Sequence, residues 1–108
     1  MPIPYSPAQP ERSSIDASPG LTALEFGTDW CGHCQAAAPK IAAALAGYPA
    51  ARHIKVEDGS GRVLGRSFRV KLWPTLIVLK DGVEVARVVR PASDREVREA
   101  LSLSNAAG

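Results

Sequence analysis

An apolar run from Leu21 to Phe26, broken only by Glu25, stops at Gly27 and is followed within a few residues by Trp30-Cys31-Gly32-His33-Cys34. Behind that stretch Ala38, Ile41, Ala42 and Leu45 fall at i, i+3, i+4 and i+7, one face of a helix, with Gly47 as a stop and Pro49 just beyond. A buried strand that hands over to a helix therefore carries two sulfurs at the junction. Few architectures tolerate that arrangement, because the sulfurs must sit where the first helical turn begins.

These are the only two cysteines in the chain. A loop of two intervening residues restrains an unfolded chain little, so structural stapling is the weak reading and reversible disulfide chemistry the strong one. Cysteine attacks as thiolate and needs surroundings that hold the anion. If the helix starts just after Cys31, that sulfur faces unpaired N–H groups at the positive end of the helix, while Cys34 lies one turn in and deeper. Cys31 is then the nucleophile and Cys34 the resolving thiol, and the cycle runs through a mixed disulfide. No metal or organic cofactor is required. Structural zinc wants four ligands, and only His33 and His53 stand beside the two cysteines. Gln35 after Cys34 excludes the haem-attachment motif, and an iron–sulfur cluster would need a dimer sharing two pairs.

With 108 residues, 45% of them hydrophobic, the chain has the size of one domain with its own core. A formal charge of +2 with 22% charged residues describes a mixed surface and argues against DNA or RNA as ligand. No apolar run approaches the roughly 18 residues of a membrane span. Prolines occupy the first twenty residues where a signal peptide would carry a positive start and an apolar run, so the sequence reads as cytoplasmic, with no membrane partner.

Residues 1–20 hold five of the nine prolines and form an irregular arm with a possible short helix around Glu11 to Ala17; residues 21–108 form the domain itself. Arg52 to Glu57 reads as a second strand, reached through a helical crossover long enough for a parallel βαβ unit. After Asp58-Gly59-Ser60-Gly61, a short helix over about Arg62 to Phe68 leads to Trp73-Pro74. Thr75 to Leu79 and Val83 to Val89 flank Asp81-Gly82, a hairpin signal. Ser93 with Glu96 three residues on makes a capping box for a last helix bearing Val97, Ala100 and Leu101. Pro39, inside the helix after the cysteines, is expected to bend it. Arg62, Arg66, Arg69 and Lys71 make a basic stretch, read as a solvated face or a docking surface for acidic clients.

Trp-Cys-Gly-His-Cys, a helix with a proline five residues on, and Trp-Pro-Thr before a hairpin resemble the thioredoxin family, from about Leu21 to Leu103. The resemblance implies an α/β fold, a central mixed β-sheet flanked by helices on both faces, and an enzyme that exchanges thiols and disulfides, most simply a protein-disulfide reductase. It makes Pro74 a cis-proline lying against the dithiol and pairing with the substrate backbone. Glu25 takes the place of the family's buried acid and Lys55 that of its buried lysine, so that Glu25 would take and return the Cys34 proton while Lys55 modulates it. Trp73 becomes a stacking platform or a lid, and Trp30 packs beside the site. Gly32 and His33 form the tuning dipeptide. His33 replaces the usual proline and matches protein disulfide isomerases, whose reference potential lies about 90 mV above that of thioredoxin, so a less reducing protein is expected. Gly27 stands where many members have an aromatic residue, and Arg90-Pro91 replaces a glycine-containing turn. Implied partners are disulfide-containing client proteins and a thioredoxin-reductase-type flavoprotein, with the chain a monomer. The alternatives are a non-catalytic adaptor that binds a partner in the groove near Trp73, or an isomerase or oxidase using the same dithiol. His53 reads as a surface or satisfied residue.

Overall fold

Along Leu21 to Gly27 successive side chains enter opposite layers, and the sequence fills both with apolar groups, which makes this strand the centre of the molecule. A computed structural model describes residues 4–107, with side chains as far as Leu103. Its elements are α1 (Arg12–Asp16), β1 (Leu21–Gly27), α2 (Gly32–Leu45), β2 (Arg52–Glu57), α3 (Val63–Ser67), β3 (Thr75–Lys80), β4 (Val83–Val89) and α4 (Asp94–Ala107). The sheet order is β2-β1-β3-β4; β1 runs parallel to β2 and antiparallel to β3, and β3 antiparallel to β4. On one face Leu24, Phe26, Ile77 and Leu79 pack against Ile15 of α1 and Leu64 and Phe68 at α3. On the other, Ala23, Leu76 and Val78 meet Ala37, Ile41 and Ala44 of α2 and Val97 and Leu101 of α4. This is the mixed sheet with helices on both faces that the resemblance implies.

Two local features fix the layers. At the hairpin Asp81 and Gly82 have φ of 50° and 82°, the left-handed pair that a tight two-residue turn needs. The turn is pinned to the start of β1: the Asp81 amide donates to the Gly20 carbonyl at 2.9 Å, and the Gly20 amide to the Asp81 carboxylate at 2.7 Å. A Cβ on Gly82 would stand 1.9 Å from the carbonyl oxygen of Asp16, so the end of α1 sits where only glycine leaves room. At α4 the Ser93 hydroxyl accepts from the Glu96 amide at 3.4 Å.

The arm contains α1, as its weak periodicity suggests, and residues 1–3 lie outside the described residues. It also does something that no periodicity signals. Ser6 forms a parallel bridge with Val56: its amide donates to the Lys55 carbonyl at 3.0 Å and its carbonyl accepts from the Glu57 amide at 2.9 Å. An edge strand offers such unpaired groups to any passing chain. Pro7, which has no N–H, follows Ser6, so the pairing stops after one residue. Among the described residues no helix is long and apolar enough to cross a membrane.

Candidate active site

Gly27 ends β1, and the chain turns through Thr28, Asp29 and Trp30 to Cys31, whose extended backbone (φ −79°, ψ 121°) makes it the N-cap of α2. Cysteine is an unusual cap, yet its Sγ accepts from the Cys34 amide at 3.4 Å, satisfying one of the four donors that a helix start leaves unpaired. The Gln35 side chain braces the turn by donating to the Asp29 carbonyl at 2.9 Å. Cys31 is 9% exposed and Cys34 2%, so only the first sulfur has a face toward solvent.

The two thiols are driven apart in acidity. Burial alone would push Cys31 up, but hydrogen bonds from the Cys34 thiol and from the backbone amides of Cys34 and His33, with the charge of Arg90, outweigh it and hold Cys31 below the ordinary thiol value of 9.0. Cys34 is pushed up to about 11, first by burial and then by the hydrogen bond and charge of Cys31; the Thr28 backbone and the Tyr5 hydroxyl work against that rise. The helix start and the deeper burial of Cys34 therefore make Cys31 the more acidic of the two thiols.

Pro74 follows a cis peptide after Trp73. Trp73 packs against the cluster that Cys31, Cys34 and Tyr5 form, and its Nε1 donates to the Asp58 carboxylate at 2.8 Å. Trp30 lies edge-on to Trp73 with ring centroids 5.8 Å apart, and is 73% exposed. The pair forms a wall beside the sulfurs whose inner ring is hydrogen-bonded in place and whose outer ring is free to meet a partner. Gly32 has open space where a side chain would stand, and the His33 ring is exposed, so both residues of the dipeptide front solvent.

Glu25 is 1% exposed and faces the α2 side of the sheet, so it does not point outward from a strand end. One of its oxygens accepts from the Tyr5 hydroxyl; the other stands 2.8 Å from Nε2 of His53. Lys55, its register partner on β2, places Nζ 4.4 Å from the centre of the Tyr5 ring. A cavity of about 870 Å³ opens beside these groups, lined by Tyr5, Glu25, Thr28, Cys34, His53 and Lys55 among others.

Tyr5 has no signal in the sequence, and His53 and Arg90 have signals that do not place them at the sulfurs. Tyr5 reaches the sulfurs from the arm, which offered only proline and turn signals. His53 is the satisfied residue its position on a strand allowed, half-buried against Glu25, but the sequence did not name its partner; the parallel register, which sets it opposite Ala23 on the face of Glu25, was the available clue. Arg90 adopts φ of 49° and donates through Nε to the Trp73 carbonyl at 2.7 Å, while its backbone amide donates to the Pro74 carbonyl at 2.9 Å. It occupies a backbone shape for which glycine is the usual choice, and brings a positive charge near Cys31.

A mixed sheet between two helical layers, with unequal thiols at the first turn of α2, defines a thiol-disulfide oxidoreductase. The sequence matches the family model for thioredoxin over residues 11–102, and the chain belongs to the thioredoxin family. It is 37% identical to thioredoxin of Chlamydia trachomatis over 79 residues, covering 73% of this chain and 78% of that one. It is 34% identical to thioredoxin-1 of Saccharomyces cerevisiae over 93 residues, 85% of this chain and 88% of the yeast protein. Among solved structures, thioredoxin 2 of Pseudomonas aeruginosa PAO1 in its reduced form superposes with a TM-score of 0.87 at 55% identity over 100% of both chains.

Proposed function

We propose that the protein is a reductase of protein disulfides in the cytoplasm, acting as a monomer and recharged by a thioredoxin-reductase-type flavoprotein. The observation that carries this reading is the placing of two sulfurs one helical turn apart, the outer one capping α2 and accepting from the Cys34 amide, the inner one buried behind it. The Cys31 thiolate attacks one sulfur of a client disulfide; a Cys31–client bond forms and the other client sulfur leaves as thiolate and is protonated. Cys34 then loses its proton and attacks Sγ of Cys31, so the Cys31–Cys34 disulfide forms and the second client thiolate departs. The client gains two electrons and the dithiol loses them. Two electrons from the flavoprotein restore it.

Trp30, Trp73 and Pro74 are assigned to the client, as the wall and floor beside the attacking sulfur. Gly32 and His33 set the potential, and Glu25 with Lys55 serves the proton of Cys34. Reduction of insulin by the protein with dithiothreitol as electron source tests the core of the reading. Cys31→Ser is expected to abolish turnover, and Cys34→Ser to accumulate a client-linked mixed disulfide that non-reducing gels display. Undiminished turnover by Cys31→Ser would remove the reductase and leave the adaptor. The direction of use is read from the potential: equilibration with glutathione is expected to place the pair above about −270 mV, and a value at or below it would contradict the role given to His33.

A further inference from the structure

Cys34 must shed a proton while itself almost fully buried, and Glu25 is the acid nearest in the sheet, yet both of its oxygens are engaged elsewhere, one by His53 and one by Tyr5. Tyr5 comes from the arm, across twenty positions of sequence. What admits it is Gly27: a Cβ there would stand 2.5 Å from Sγ of Cys34 and 2.8 Å from the Tyr5 hydroxyl oxygen. The missing side chain thus leaves a gap that the phenol fills, with its hydroxyl against both the thiol and the carboxylate.

The ring is fixed from several sides. Its backbone amide donates to the Asp29 carboxylate at 2.9 Å, the next residue is bridged to β2, and Lys55 stands over its face. Tyr5 is 6% exposed. Nothing about filling a gap requires an oxygen at its end, since a phenylalanine would occupy the same space. A buried hydroxyl is costly unless it is hydrogen-bonded, and this one donates to Glu25 while standing against Cys34, the two groups that have a proton to exchange.

We propose that Tyr5 is the proton relay between Cys34 and Glu25 in the resolving step. Once Cys31 is held in the mixed disulfide it is no longer a thiolate that accepts the Cys34 S–H, which turns to the Tyr5 oxygen; as that S–H bond breaks, its proton passes to Tyr5 while the Tyr5 proton passes to Glu25. The product is a Cys34 thiolate hydrogen-bonded by Tyr5 and a neutral Glu25, which returns the proton to solvent by way of His53 and the adjoining cavity. The phenol ends each cycle as it began. Burial, and after it the charge and hydrogen bond of Glu25, keep Tyr5 far above the ordinary phenol range, so it acts as a conductor and does not itself ionise. The charged or titratable groups that meet it are Glu25 from β1, Cys34 from α2, Lys55 from β2 and Asp29 from the turn, with His53 behind Glu25 and Cys31 behind Cys34.

The proposal rests on the two-thiol cycle above, and one experiment separates the two. Reduced protein mixed with 5,5′-dithiobis(2-nitrobenzoate) releases one coloured thiolate when Cys31 attacks and a second when Cys34 resolves the mixed disulfide. Tyr5→Phe is expected to leave the first phase alone, slow the second about tenfold or more near neutral pH and move its pH midpoint upward, because the thiolate loses its donor. Glu25→Gln is expected to slow the same phase, and the double variant to be little slower than either single one. Replacing tyrosine by 3,5-difluorotyrosine in a Tyr48→Phe background acidifies the hydroxyl and keeps the ring, so the second midpoint is expected to move down. If neither Tyr5 probe changes the second phase, or the Tyr5 and Glu25 effects multiply, the relay is wrong while the dithiol cycle stands. Absence of a second phase in the unmodified protein would remove the cycle itself.

Discussion

Cys31 acts as both helix cap and nucleophile, and these are one property seen twice: the donors that the first turn leaves unpaired are satisfied by sulfur, best when it is charged. The rate of alkylation at Cys31 by iodoacetamide is therefore expected to rise with pH through a midpoint below 9.0. Arg90→Ala is expected to move that midpoint up, because the variant lacks the charge that favours the anion; peptide mapping of the alkylated cysteine at each pH reads both effects. The cysteine pair was legible in the sequence because two sulfurs so spaced have little other use. Glu25 was legible as a charge inside an apolar strand, where it must be paired or at work. Tyr5 was not, because its contacts join residues far apart in sequence and only the folded sheet brings them together. Gly27 was visible as a departure from the family, but its consequence depends on what fills the vacant volume.

Among the elements, those with strong periodicity were read well. β2 and β4 fall where their β-branched residues place them, and the hairpin follows from Asp81-Gly82. The boundaries that differ are short ones: α3 occupies Val63–Ser67, a turn too brief for any helical period to fix its ends. The single-residue bridge at Ser6 was invisible because one pair has no period at all. Gly82→Ala tests how tightly hairpin and α1 are joined. The left-handed backbone and the clash with the Asp16 carbonyl together are expected to cost about 2 kcal/mol or more, lowering the thermal midpoint by about 10 °C, as calorimetry would measure. A loss of only one or two degrees would mean that the end of α1 yields to the turn.

At the scale of the whole molecule, unequal thiols make stability depend on redox state and pH together. With Cys31 lowered in the fold, the unfolded chain binds more protons in the interval just below 9.0, so the reduced protein gains stability as pH rises toward that value. With Cys34 raised to about 11, the folded chain binds more protons above it, and the gain reverses between pH 9 and 11. The disulfide form has neither thiol. The difference between urea-unfolding free energies of the two forms is expected to pass through a maximum near pH 9, and a steady rise to pH 11 would show that Cys34 ionises freely. The crossover of helical length and the hairpin each announced one pairing, the resemblance to the family implied the mixed sheet that joins them, and the docking of the arm on β2 came from none of these signals. That docking has a practical side. Any change made upstream of Ser6, an affinity tag among them, acts close to a phenol that lies against the resolving sulfur, so altered and unaltered preparations ought to be compared before a rate is ascribed to the unmodified protein.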